Sequence, residues 1–260
     1  TGPRQSGKTT LARAVFPGHA YVSLEPLDQR AYATEDPRGF LRGLRGGAVL
    51  DEVQHVPELF SYLQEEVDRD PTPGRFVLTG SENFSLSGRV RKPGNYELPF
   101  GTTFRQLIYE HGMGIQEGRP IKAIMPAGAS SSVIVVDEKV LDTPLDYASV
   151  RTFGADLGSA SVIVLDDTVD MDWVINKTIH FFKHESCGKC TTCREGNHWM
   201  RNLTERIHTG KGSGDDVKLL LNVAKQMQGK CLCALGEFST MAVVTSIERF
   251  PDDFKKAVKA

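Results

Sequence analysis

Cys187, Cys190 and Cys193 stand at C-x2-C-x2-C spacing inside Ser186-Cys187-Gly188-Lys189-Cys190-Thr191-Thr192-Cys193-Arg194-Glu195-Gly196, and the other two cysteines are Cys231 and Cys233. Three thiolates this close can wrap one face of a cube-shaped iron–sulfur cluster, with a fourth from elsewhere closing it. Four thiolates can also hold structural zinc, which more often uses paired C-x2-C knuckles. Spacing alone leaves Cys231 and Cys233 equal as the fourth donor. Five clustered cysteines are an odd number for a disulfide framework, so ligation is the better reading.

A second, unrelated chemistry opens the chain. Gly2-Pro3-Arg4-Gln5-Ser6-Gly7-Lys8-Thr9 fits G-x-x-x-x-G-K-[ST] in full. The backbone N–H groups of such a loop, between Gly2 and Gly7, cradle phosphates; Lys8 reaches the β- and γ-phosphates and Thr9 holds Mg²⁺. Downstream, Ala48-Val49-Leu50-Asp51-Glu52 is a short apolar run ending in two carboxylates. Asp51 is placed to hold the Mg²⁺ shell and Glu52 to orient an attacking water. Arg75-Phe76-Val77-Leu78 leads into Thr79-Gly80-Ser81, where Ser81 is the candidate sensor of the γ-phosphate.

The elements that must carry these residues follow from pattern. Thr10 to Phe16 reads as the helix after the loop, stopped by Pro17-Gly18. Leu59, Phe60, Leu63 and Val67 give Pro57 to Asp68 helical spacing. From Ser85 to Pro99, short alternating stretches punctuated by Pro93-Gly94 read as a β-hairpin. A helix over Phe104 to Glu110, with Thr102 or Thr103 as N-cap, is followed by strands at 121–125, 133–136 and 161–165 and by a loop from Leu141 entering a short helix. Strands around one helix in so few residues make an α+β unit.

Beyond residue 168 the pattern is all helical. Trp173, Val174, Ile175, Thr178, Ile179 and Phe182 form a wide apolar face over Asp170 to Glu185. Further helices are expected over Asn197 to His208, over Val217 to Met227 with Asp215 as its cap, over Phe238 to Glu248, and from Asp252 onward, past Pro251. That is a small bundle with the cysteine loop at one end. The formal net charge of -2 argues against nucleic acid as a partner. No apolar run approaches the ~18 residues of a membrane span, and no secretory signal is visible.

Two resemblances sharpen this reading. Residues 1–83 resemble the AAA+-type P-loop ATPases in their GPRQ, LDEVQ and LTGS stretches. From residue 84 the chain resembles a different family. Ser87-Gly88 through Leu98-Pro99, Leu141-Asp142-Thr143-Pro144-Leu145-Asp146-Tyr147 and Leu157-Gly158 through Asp166-Asp167 look like the SLBB (ligand-binding β-grasp) domain of the NADH-binding flavoprotein subunit of bacterial respiratory complex I, an NADH-quinone oxidoreductase. Related subunits occur in NAD-linked hydrogenases and formate dehydrogenases. Ala160-Ser161 stands where that family commonly has Gly-Gly, and Thr192 where it usually has Pro. The SCGKC-T-x-CREG and CALG stretches match the same family's cluster domain.

The resemblance implies a [4Fe-4S] cluster on Cys187, Cys190, Cys193 and Cys233, since the cysteine that opens CALG is the family's ligand; Cys231 is then a thiol without that role. It implies three domains: a truncated P-loop fragment over 1–83, an SLBB β-grasp domain over 84–167, and an all-α helical bundle holding the cluster over 168–260. The implied function is an iron–sulfur electron-transfer module whose partners are other subunits of a respiratory NADH dehydrogenase. Its expected place is the cytoplasm, peripheral to the inner face of the membrane through those partners and without membrane insertion of its own. The family's FMN and NAD sites belong to a domain not recognised here, so unaided NADH oxidation is not expected. The alternatives are a Mg-ATP-binding ATPase fragment, with Glu52 as base and Ser81 as sensor, or a non-functional chimera joined near residue 83. Thr1 leaves no strand before the phosphate loop, which argues against ATP turnover.

Overall fold

The computed structural model describes residues 8–56, 58–99 and 101–258, without the side chains of Lys8, Gln54, Ser81 and Glu82. Gly2 and Gly7 lie outside the described residues. The fold mixes helices with two sheets, and the chain packs as two compact units: residues 1–84 with 95–103 and 144–149, and residues 85–94, 104–143 and 150–260.

The first unit alternates helix and strand. α1 (Lys8–Val15), β1 (Ala20–Ser23), α2 (Leu27–Glu35), α3 (Pro37–Arg42), β2 (Ala48–Asp51), α4 (Leu59–Arg69) and β3 (Phe76–Leu78) follow in order. The strands form a parallel sheet in the order β1-β2-β3, with Ala48 opposite both Ala20 and Phe76. β2 is central and fully buried, which is why its sequence is an apolar run rather than an alternation. Leu24, Phe40, Leu41, Leu50, Leu59 and Leu63 close the core of this unit. Pro37 begins α3 because its missing N–H costs nothing in a first turn, and the Asp36 carboxylate caps it by accepting from Gly39 N at 2.8 Å. β1, α2 and α3 carry weak patterns and are not evident from the sequence.

The second sheet has the order β5-β4-β8-β6-β7, from β4 (Ser81–Gly88), β5 (Gly94–Pro99), β6 (Ile121–Met125), β7 (Ile134–Val135) and β8 (Ser161–Asp166). β4 and β8 run parallel, Ser85 opposite Ser161; β6 pairs antiparallel with both β8 and β7. The expected helix after Thr103 forms but widens to a π-turn over Gln106–His111, the amide of Gly112 reaching back five residues to the Leu107 carbonyl. Thr102 does not cap it; its hydroxyl donates to the Pro99 carbonyl at 2.7 Å. Short α5 (Glu138–Leu141), capped by Asp137, and α6 (Tyr147–Arg151) complete the stretch. Ala160 sits at φ 54, a left-handed conformation that costs a residue with a Cβ about 1 kcal/mol. This is the position where the resembling family commonly has glycine.

α7 (Met171–Glu185), α8 (Thr191–His208), α9 (Gly214–Met227), α10 (Ala234–Arg249) and α11 (Pro251–Ala257) make up the rest. One core joins Met171, Val174, Ile175 and Ile179 of α7 to Met200, Leu203 and Ile207 of α8, Leu220 and Ala224 of α9, and Val243 and Ile247 of α10. Each of these side chains larger than alanine contributes about 1.5–3 kcal/mol on burial. Lys122 of β6 ties the sheet to the helices: its ammonium donates to the Val169 carbonyl and to Asp253, whose carboxylate also accepts from Met171 N.

Three helix starts differ from expectation, α10 beginning at Ala234 rather than Phe238. α8 begins at Thr191 rather than Asn197, so Cys193 lies in its first turn. The cysteine loop masks the helical pattern, and a Thr at position 192 suits a first turn as Pro would. α9 is capped not by Asp215 but by Ser213, in a capping box with Asp216, whose carboxylate also accepts from Arg206 at 3.2 Å.

Candidate functional sites

The cysteine site lies in the second unit and is built by two helix starts. α7 ends at Ser186 in extended backbone, and Gly188, at φ 75, turns the chain where a side chain would strain it. Arg194 holds that turn by donating from Nη1 to the Gly188 carbonyl at 2.8 Å. Cys190 is then the N-cap of α8, and Cys233 is the N-cap of α10. Both helices run for four turns or more, and their N-terminal dipoles favour negative charge where the thiols stand.

The structure brings the two cysteine segments together. The backbone N–H of Leu232 donates to Cys190 Sγ at 3.4 Å across 42 residues of sequence. Cys193 is buried; its sulfur accepts from Asn197 Nδ2 at 3.3 Å and lies 3.4 Å from Ser186 Oγ. Asn197 is itself fully buried, with Oδ1 lacking a hydrogen-bond partner among the described residues. Cys187 and Cys233 are exposed, and Cys190 and Cys231 are half-buried. Burial, then the charges of Cys193, Cys190 and Cys233, push the Cys231 thiol above its ordinary range.

These residues fit an iron–sulfur cluster by their donor chemistry. Soft thiols converge on two helix N-termini, and amide donors already face two of the sulfurs, as anionic cluster ligands require. Among the described residues no three His, Cys, Asp or Glu are grouped to hold a single metal ion. Asn197, Ser186 and the Leu232 amide are not expected from the sequence. Asn197 lies four residues after Cys193, on the same helix face, and that spacing is the one available signal.

The phosphate-loop site lies in the first unit, at the C-terminal edge of its parallel sheet. Asp51, 7% exposed, ends the central strand and accepts from three hydroxyls: Thr9 Oγ1 at 2.9 Å, Tyr21 Oη at 2.8 Å and Thr79 Oγ1. Burial pushes its carboxyl up, but the hydrogen bonds from Thr79, Tyr21 and Thr9 outweigh it, and the group titrates below its ordinary range. Tyr21 is pushed up to about 12 by burial and by the carboxylate it faces. Arg13 lies over its ring at 4.8 Å. Glu52 follows at φ 56, ψ 41, left-handed and half-buried. Thr9 and Asp51 are thus in contact. Lys8 starts α1, while its side chain, that of Ser81, and Gly2 and Gly7 lie outside what the structure describes. Tyr21 and Thr79 are donors that the sequence pattern does not single out.

Elsewhere in the second unit a cleft of about 780 Å³ is lined by Arg89, Trp173, His208 and Lys256 among others, with no cysteine in its wall. No helix among the described residues is long and apolar enough to cross a membrane.

Known proteins divide the chain in the same sense as its two chemistries. Residues 173–257 match the NADH-ubiquinone oxidoreductase-F iron-sulfur binding region, residues 83–128 the SLBB domain, and residues 1–96 an AAA domain. The F subunit of the NADH-quinone oxidoreductase of Mycobacterium bovis is 37% identical over 206 residues, covering 79% of this chain and 46% of its own length. The second such F subunit of Rhizobium meliloti is 42% identical over 175 residues, 67% of this chain and 41% of the relative. That of Rickettsia typhi is 33% identical over 225 residues, 86% and 52%. The chain therefore spans about half the length of the curated relatives it matches. Coverage of 79% and 86% also carries two of these matches back before residue 84, into the stretch that matches the AAA domain. In fold, a NAD+-reducing [NiFe]-hydrogenase in the air-oxidized state has a TM-score of 0.60 at 18% identity, over 96% of this chain and 58% of that one. From about residue 83 onward the chain resembles the C-terminal part of the NADH-quinone oxidoreductase flavoprotein, the iron–sulfur binding region of that protein included.

Proposed function

We propose that this chain is the iron–sulfur electron-transfer module of an NADH:quinone oxidoreductase flavoprotein subunit. The observation that carries the reading is the convergence of the Cys187–Cys193 loop with the Cys231–Cys233 segment through the Leu232 N–H to Cys190 Sγ bond. Cys187, Cys190, Cys193 and Cys233 are the ligands, following the flavoprotein family's pattern. The bound [4Fe-4S] group supplies one-electron transfer. The protein's part is positioning and charge. The Asn197 amide and the Leu232 N–H offset negative charge on Cys193 and Cys190, and the starts of α8 and α10 add their dipoles. The SLBB-like β-grasp part, 84–167, is a structural spacer, and 168–260 is the helical bundle that holds the cluster. Partners are the other subunits of a respiratory dehydrogenase, at the inner face of the cell membrane. Oxidation of NADH through FMN is an activity of the whole flavoprotein, of which this chain covers about half.

Anaerobic purification followed by iron, sulfide and zinc analysis tests this. A brown protein with about four irons per chain is expected; a colourless protein with one zinc and no sulfide overturns it.

A second reading is supported by the Thr9–Asp51 bond. Those two side chains are the Mg²⁺-holding pair of a P-loop site, with Lys8 for phosphate, Glu52 for water and Ser81 as sensor, on the AAA+-type stretch 1–83. Calorimetry with Mg-ATP, on the parent and on Lys8→Ala, tests it: heat in the parent lost in the variant supports a nucleotide site. No heat in the parent rejects it and leaves the fragment as one half of a chimeric join.

A further inference from the structure

Cys231 is the cysteine that the family pattern leaves without a role, yet it is turned toward the loop. A Cβ placed on Gly236, in the first turn of α10, would collide with Cys231 Sγ and stand 3.6 Å from Cys193 Cβ. One small gap therefore has Cys231 on one side and Cys193 on the other, and it exists because residue 236 has no side chain. The next residue, Leu232, gives its N–H to Cys190 Sγ, and its own side chain is 85% exposed. Cys231 is half-buried against this site while Cys233 faces solvent.

We propose that Cys231 is a reserve ligand, held by the Gly236 gap, that takes over the fourth iron when Cys233 leaves it. The inference rests on the cluster reading above. The exchange is a ligand substitution without change of oxidation state. The Cys231 thiol gives up its proton and forms an Sγ–Fe bond, while the Cys233 Sγ–Fe bond breaks and that sulfur takes up a proton. Two thiols on one short segment serve one iron, and the more exposed of them is the one that oxidants and chelators reach first. The reserve position makes loss of the outer ligand reversible.

The test uses the full chain, purified anaerobically with its cluster. Parent, Cys233→Ser, Cys231→Ser and the double variant are assayed for iron and sulfide, and the folded proteins are alkylated and mapped. Cys233→Ser is expected to keep about four irons, with a changed electron paramagnetic resonance spectrum, and to leave no cysteine open to alkylation. The parent is expected to be labelled at Cys231, and the double variant to lose the cluster. Gly236→Ala in the Cys233→Ser background is expected to lose most of its iron, because the added methyl displaces Cys231. If Cys233→Ser retains iron but is still labelled at Cys231, or loses its iron while staying folded, the proposal is overturned. A parent without iron overturns the cluster reading instead. Should Cys233→Ser fail to fold, Cys231→Ser decides: its iron is expected to pass to a chelator several-fold faster than the parent's, and an unchanged rate overturns the proposal.

Discussion

The two sites solve opposite problems with negative charge. In the first unit, one carboxylate on a buried strand end is satisfied by three hydroxyls from three separate elements, Thr9, Tyr21 and Thr79. In the second, five thiols share a few long contacts to sulfur and two helix starts. Hydrogen bonds to an ionised carboxylate are worth about 1.5–3 kcal/mol each, so the first site is held by the protein's own polar groups. Sulfur is a weak hydrogen-bond acceptor, so on the proposed reading the stronger bonds of the second would be those to metal. The dependence therefore differs: folding organises the first site, and on the proposed reading ligation organises the second.

Mutation separates them. The largest effect is expected for Cys193→Ser, which removes the buried thiol and should take iron from about four per chain to near none; retention of iron would break the contrast by making the loop's buried thiol dispensable. Next is Asp51→Ala, which strands three hydroxyls. It should destabilise the first unit by about 2–4 kcal/mol in urea unfolding while leaving iron content alone. An unchanged midpoint would mean that the carboxylate does not organise that unit.

Acid should distinguish the sites as well. The folded Asp51 carboxyl titrates below its ordinary range. Its contribution is therefore present above the unfolded-state value and lost as pH falls through the folded one. Asp51→Asn should flatten that acid limb of stability, and an identical pH profile would count against it.

Asn197→Ala should keep the cluster but lower its potential. Losing about 1 kcal/mol of donor interaction corresponds to about 40 mV for one electron, measurable by redox titration. A potential unmoved or raised would remove the amide from the electrostatics of the site. The smallest expected signal is optical. The Tyr21 phenol, pushed up to about 12 by burial and Asp51, should ionise nearer the ordinary value in Asp51→Asn, followed by phenolate absorbance.

Much of this organisation was legible in the chain. The C-x2-C-x2-C loop and the G-x-x-x-x-G-K-T loop stand out as candidates for ligation and phosphate binding because both chemistries need fixed local spacing, and local spacing is written directly in sequence. β2, β6 and α7 were readable because an apolar run or a 3.6-residue stripe records a burial that one element makes by itself. β1 and α2 were not, since Tyr21 and Leu27 are exposed and their elements are held by neighbours rather than by pattern. The start of α8 was hidden because the cysteines and their neighbours occupy positions where helix formers would have shown the period.

The choice between the last two cysteines marks the boundary. The sequence by itself determined the set of five thiols, the acidic end of β2 and the likeness that assigns Cys233. Only the tertiary structure decided that the Leu232 amide reaches Cys190, that Asn197 points its amide at Cys193, that Thr9, Tyr21 and Thr79 converge on Asp51, and that Gly236 opens a gap for Cys231. The physical reason is the same in each case. A residue's type and its near neighbours are local, whereas which donor meets which acceptor across 42 residues depends on how separate elements pack.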